Sequence, residues 1–222
     1  AQTGVRVFNQ APVFNSNTTP NPVCQDAGNF VAIDEVIFDD PDHDSCQVWV
    51  VSQTPAIVQT ANITVAHSQA WDPAQSINAF SISVTPEPGM NGTVNIDVYC
   101  TDGIDTIFTS TSFDVHALPS ASISLPSNQI CENHGSEVLD NYGIPAGGNF
   151  EGTAVYNNTL YPGQAGVGSF NLEYIYQDAN GCKDTATQLV EIWDVPAISM
   201  AITNADCGQQ NGAVDATVTG GA

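Results

Sequence analysis

Residues 130–193 read ICENHGSEVLDNYGIPAGGNFEGTAVYNNTLYPGQAGVGSFNLEYIYQDANGCKDTATQLVEIW. Short alternating runs, such as Phe170-Asn171-Leu172-Glu173-Tyr174, are cut apart by Gly, Pro and Asn turns. A period of two buries one face of a strand and leaves the other in water. The stretch therefore reads as a small β-sandwich. A cysteine stands near each of its ends, and a Cys131–Cys182 disulfide is the expected staple. The two are 51 residues apart, and closing such a loop stabilises a fold by about 4 kcal/mol in the chain-entropy account.

The same pattern extends outward. Residues 13–118 hold alternating runs at 30–38, 46–51, 62–66, 79–84, 93–100 and 109–115, separated by turn signals such as Asp39-Asp40-Pro41-Asp42 and Pro86-Glu87-Pro88-Gly89. Strands at this spacing predict an immunoglobulin-like or cadherin-like sandwich, and no long stretch has a helical period. Residues 1–12 contain one strand-like run around Val5 and Val7, read as the last strand of a preceding repeat or an N-terminal strand. Residues 119–195 are the second sandwich, with Pro119 and Pro196 at its junctions. Junctions without a Gly/Ser linker suggest stiff connections. Residues 196–222 carry two alternating runs around Gln209-Gln210-Asn211-Gly212, a hairpin signal. So short a segment cannot bury a core of its own. The expected class is thus all-β: tandem Ig-like/cadherin-like β-sandwiches with an incomplete third β unit at the C-terminus. The third unit needs completion by more chain or by another molecule.

Of 222 residues 42% are hydrophobic, enough for real cores, and only 12% are charged. Arg6 and Lys183 face 24 acidic residues, a net charge of −22. Phosphate binding needs clustered Lys and Arg, so nucleic acid is excluded as a partner. An anionic membrane surface is disfavoured on the same ground, and no apolar run is long enough for membrane insertion as a helix. Six cysteines without a C-x-x-C pair argue for an oxidising, extracellular compartment. In the first sandwich Cys46 opens one strand and Cys100 closes another. If those strands are antiparallel neighbours, a Cys46–Cys100 disulfide follows, with Cys24–Cys100 as the competing pair. Cys207 is expected to lack its partner.

Asp39, Asp40, Asp42 and Asp44 crowd one loop, and Asp102 lies in a turn expected at the same end. Calcium takes six to eight oxygens, which alternating Asp side chains can supply. An acidic turn in which Asp serves turn geometry is the plainer reading. The four histidines, His43, His67, His116 and His134, show no metal-ligand spacing, and no nucleophile motif is present. The chain is therefore read as no enzyme. Among the aromatics, Trp49 in Val48-Trp49-Val50-Val51 reads as core, and Trp71 is the exposed candidate for ligand binding.

Cys207-Gly208-Gln209-Gln210-Asn211-Gly212-Ala213-Val214-Asp215 resembles the opening of the repeat of Bacteroidota gliding adhesins of the SprB type. The second sandwich, through Gly147-Gly148-Asn149-Phe150-Glu151-Gly152 and Gly181-Cys182-Lys183-Asp184-Thr185-Ala186, resembles the PKD-like or Ig-like domains that accompany it. The first, through Val36-Ile37-Phe38-Asp39-Asp40, is similar to cadherin-like repeats. The resemblance implies type IX secretion, display at the cell surface, and cell adhesion or gliding motility. It also implies O-glycans at Thr106 and Thr185, each following an Asp. Expected partners are substratum polysaccharide or protein, neighbouring repeats of the same chain, or head-to-tail copies. The expected function is a structural segment of an extracellular adhesin or filament. The alternative is a glycan-binding accessory sandwich of a secreted polysaccharide-degrading enzyme, which an exposed aromatic strip would favour.

Overall fold

A computed structural model describes residues 8–42, 44–68 and 77–221. The strand expected around Val5 and Val7 lies outside them. The chain divides into two compact units. One runs to Leu118 and includes Asn180–Cys182; the other takes up at Pro119 and holds the remainder.

Among the described residues the first unit has eight strands: β1 (Val13–Asn17), β2 (Val23–Cys24), β3 (Phe30–Asp39), β4 (Gln47–Ser52), β5 (Ile63–His67), β6 (Ile77–Val84), β7 (Gly92–Thr101) and β8 (Thr106–His116). They form two four-stranded sheets, ordered β1-β3-β6-β5 and β2-β8-β7-β4. The pairings are antiparallel except the short parallel contact of β2 with β8. Alternation dictates the core. On β7, Val94, Ile96, Val98 and Cys100 are fully buried, while Thr93 and Asn95 on either side of Val94 are exposed. Ile33, Val36, Phe38, Ile82 and Val84 of the other sheet complete the same apolar cluster.

The second unit contains β9 (Ser122–Ile123), β10 (Gln129–Cys131), β11 (Glu137–Val138), β12 (Gly143–Ile144), β13 (Asn149–Gly152), β14 (Val155–Tyr156), β15 (Thr159–Leu160), β16 (Gly168–Gln177), β17 (Lys183–Trp193), β18 (Ala197–Thr203) and β19 (Ala213–Thr219). Its main sheet is β10-β17-β16-β13, beside the smaller sheets β11-β15-β14 and β9-β12. Leu139, Phe150, Leu160, Leu172, Tyr174 and Val190 form its core. Tyr174 explains the glycine at 148. Its hydroxyl donates to the Pro145 carbonyl and accepts the Gly148 N–H at 2.8 Å. A Cβ at Gly148 would meet the Tyr174 ring and the Ile175 carbonyl oxygen at 2.5 Å. Strands β18 and β19 pair along their whole length as a hairpin. Ile198, Met200 and Ile202 sit opposite Val218, Ala216 and Val214, and all the large ones are exposed.

The cysteine pairing differs from both sequence expectations. Cys24 is bonded to Cys182, with Cα atoms 5.5 Å apart and 158 residues between them in sequence. A Cys131–Cys182 bond is ruled out by register. Cys131 pairs with Trp193 at one end of β17, whereas Cys182 precedes Lys183 at the other. At the rise of an extended strand that distance is roughly 35 Å. Cys46 and Cys100 do meet, since Val48 pairs with Cys100 and Cys46 is the next inward residue. They are free thiols all the same. Its hydrogen bond with Cys46, which favours the protonated thiol, and its burial push Cys100 far above its ordinary range.

Candidate functional site

The acidic loop follows β3. Asp40 is completely buried, and its Oδ1 accepts the N–H groups of Asp42 at 2.9 Å and Asp44 at 3.2 Å. Asp39 accepts from the Asn15 amide at 2.8 Å. Asp102 sits in the β7–β8 turn and accepts the N–H groups of Ile104 and Asp105, each at 2.7 Å. Adjacent residues bring the two loops together. Asn9 donates to Asp102 at 2.9 Å and to Asp105 at 3.0 Å, and the Gln10 N–H donates to Asp42 at 2.6 Å. Desolvation pushes the Asp102 carboxyl upward. The hydrogen bonds from Asp105, Ile104 and Asn9 together outweigh it and hold the group below the usual carboxylate range.

These carboxylates serve turn geometry first. Among the described residues no three Asp, Glu, His or Cys side chains are grouped so as to hold a metal ion. Two oxygens, Asp39 Oδ1 and Asp40 Oδ2, are nevertheless buried without a hydrogen-bond partner. Such groups are costly to leave unsatisfied. They are the one feature of the loop that fits a cation.

The outer face of the β2-β8-β7-β4 sheet carries a feature that the sequence reading missed. Trp49 pairs with Tyr99, and Tyr99 pairs with Phe108, so three aromatics form one row straight across β4, β7 and β8. Ring centroids are 5.2 Å apart for Trp49–Tyr99, with planes within 6°, and 5.4 Å apart for Tyr99–Phe108. Trp49 is 41% exposed and Phe108 59%. This corrects the reading of Trp49 as core. On β4 the inward positions are Cys46, Val48, Val50 and Ser52, which leaves Gln47, Trp49 and Val51 outside. The signal was the period of two running through an unbroken apolar stretch. Trp71, the exposed aromatic expected from sequence, lies outside the described residues.

In the second unit a groove of about 550 Å³ is lined by Cys131, His134 and Glu137 among others. Tyr142 donates to Glu137 at 2.7 Å, and the His134 ring lies 3.3 Å from the same carboxylate. The Tyr142 bond, aided by His134, lowers the Glu137 carboxyl; the same bond raises the Tyr142 phenol. Cys131 and Cys207 are exposed free thiols. Thr106 and Thr185 are exposed strand residues.

No protein-family model matches the chain, and none of the curated proteins compared with it does. Several solved structures are similar to it. An endo-fucoidan hydrolase of glycoside hydrolase family 107 is 12% identical over 83% of this chain and 29% of its own, with a TM-score of 0.37. The I67–I69 fragment of the titin I-band is 10% identical over 94% of this chain and 76% of its own, with a TM-score of 0.35. Cadherin-like domains 1 to 4 of zebrafish RET are 10% identical over 83% of this chain and 51% of their own, with a TM-score of 0.39. The chain thus spans less than a third of the hydrolase and about half of the RET fragment. These are likenesses of fold alone.

The strands, sheets and cores described above make the chain an all-β protein of tandem sandwich-type units. No helix among the described residues is long and apolar enough to cross a membrane. The Cys24–Cys182 bond fits an oxidising compartment.

Proposed function

We propose that this chain is a structural segment of an extracellular, multi-domain adhesin or surface filament. The observation that carries the reading is the succession of two self-contained β units, each closed around its own apolar cluster, in one disulfide-bonded chain. Such units resist extension and present surface instead of a reaction centre. The resemblance of residues 207–215 to the SprB-type repeat supports cell-surface display, type IX export and a role in attachment or gliding. O-glycans at Thr106 and Thr185 belong to the same proposal. The test is mechanical. Beads coated with the full chain should hold to polysaccharide- or protein-coated glass under shear that removes albumin-coated beads. Equal detachment of both would end the reading.

Calcium at the acidic end is part of this proposal. The support is the pair of buried, unsatisfied oxygens on Asp39 and Asp40. A divalent cation at the loop would take such oxygens as ligands, and the proposed set extends to Asp42, Asp44 and Asp102. Millimolar calcium that leaves the thermal midpoint unmoved removes it.

The second reading, a glycan-binding accessory unit of a secreted polysaccharide-degrading enzyme, is favoured by the exposed Trp49–Tyr99–Phe108 row. The gene's full reading frame separates the two. A neighbouring hydrolase domain supports the accessory unit, and a long array of related repeats supports the adhesin.

A further inference from the structure

We infer that the outer face of the β2-β8-β7-β4 sheet is a binding site for a neutral polysaccharide chain, which lies along the Trp49–Tyr99–Phe108 row. Three observations carry this. The first is the row itself. Its rings repeat every 5.2 to 5.4 Å across adjacent strands, and both end rings are open to solvent. A pyranose ring has two faces of C–H groups, and those faces pack on the electron-rich face of an aromatic ring. Rings this close and this nearly parallel overlap face on face, so the end rings, Trp49 and Phe108, offer the most open surface, and two such anchors suit successive sugars of a chain.

The second observation is what flanks the row. On one side the register sets Gln47, Thr101 and Thr106 in line. On the other it sets Val51, Asp97 and Ser110 in line, followed by Asn95 beside Ser112. Asp97 accepts from Gln53 at 2.7 Å and from Ser110 at 2.6 Å, which fixes its carboxylate on the open face. An apolar strip one residue wide between rows of amides, hydroxyls and a carboxylate matches a ligand whose ring faces are apolar and whose rim is hydroxyl. A protein partner seated on a face is met by a broader apolar patch with a polar rim. The β18–β19 hairpin of the same chain shows what such an aliphatic patch looks like.

The third observation is charge. Among the described residues the first unit contains no Lys or Arg, and the chain as a whole carries −22. A sulfated or uronate-rich glycan is repelled from such a surface, and so is a second copy. An uncharged polysaccharide meets no such repulsion.

The inference rests on the glycan-binding reading and deepens it by giving it a site and a ligand class. Its test is separable from the adhesion test, because an adhesin that grips protein would pass the one and fail the other. The full chain is run through native gels containing laminarin, xyloglucan, galactomannan or soluble starch, with alginate and dextran sulfate as anionic counterparts. Retardation by at least one neutral glycan is expected, together with a change in tryptophan fluorescence on titration. Trp49→Ala and Phe108→Ala should each weaken binding about tenfold or more, as central aromatic anchors do. Thr93→Ala, farther along the same face and outside the flanking rows, should weaken it far less. Truncating either ring loses stacking on Tyr99, so binding is compared well below each variant's melting midpoint; Trp49→Phe, retaining a ring, should keep most of the binding. Retardation by none of the neutral glycans, retardation indifferent to Trp49 and Phe108, or preference for the anionic polymers would each overturn the proposal.

Discussion

Reducing the Cys24–Cys182 bond should release a long, hidden stretch of chain when the molecule is pulled by its two ends. The bond closes 158 residues. Force entering at the N-terminus reaches Cys24, crosses the two sulfurs and leaves through the segment after Cys182. With the bond intact, only the residues before 24 and after 182 can lengthen, roughly 210–230 Å at the reach of an extended chain. Once it is reduced, about 520–570 Å more becomes available at the same reach per residue, less the 5.5 Å already spanned by the Cα atoms. Single-molecule force spectroscopy, with and without a membrane-impermeant reductant, reads this contour length directly. Cys24→Ser should behave as the reduced wild type in either buffer. A reductant-dependent gain of only about 170–180 Å would instead mark a 51-residue closure between Cys131 and Cys182. That length, or no gain at all, refutes the reasoning.

Thiol labelling gives an independent check: Cys131 and Cys207 should react quickly in the native protein, and Cys46 and Cys100 only after denaturation. Gly148→Ala should destabilise the second unit by about 1–3 kcal/mol through overpacking against Tyr174 and the Ile175 carbonyl, seen as a lower urea midpoint. Glu137 has a lowered pKa in the folded chain, so its contribution is present above its ordinary value of 4.5 and fades as pH falls through the lower folded value. Tyr142 is raised, so its share is present below 10.0 and fades as pH climbs through the higher folded value. Tyr142→Phe should therefore narrow its stability gap from wild type at both extremes of pH; a constant gap would speak against the pair. Calcium at about 100 times its dissociation constant should raise stability by about 2.7 kcal/mol, and Asp40→Asn should abolish the rise in thermal midpoint.

Strands β3 to β8 of the first unit were legible in the sequence, whereas β1 and β2 were not read from it. The six runs at 30–38, 46–51, 62–66, 79–84, 93–100 and 109–115 differ from the observed β3 to β8 by at most three residues at either end. The reason is physical: one face of each strand meets a core and the other meets water, so period two is written into the residues. The same rule, applied inside Val48-Trp49-Val50-Val51, would have turned Trp49 outward. Overall hydrophobicity hid it, because an apolar stretch without polar interruptions reads as buried on both sides. The row with Tyr99 and Phe108 was beyond reach from sequence, since it depends on cross-strand register. Disulfide pairing is harder still. Six cysteines allow 15 full connectivities, and the choice rests on where turns fall in space, as Cys182 at the far end of β17 from Cys131 makes plain.

The β18–β19 hairpin gives the purified chain a conditional appetite for company. Ile198, Met200, Ile202, Val214 and Val218 stand 61–71% in solvent on one face of the ribbon. Two such ribbons would bury one another readily, were it not for the −22 charge that each molecule carries. In dilute buffer that repulsion reaches about 30 Å at 0.01 M salt and keeps molecules apart; at 1 M it shrinks to about 3 Å. Ionic strength thus works as the throttle on clustering, with brine drawing together what fresh water holds dispersed.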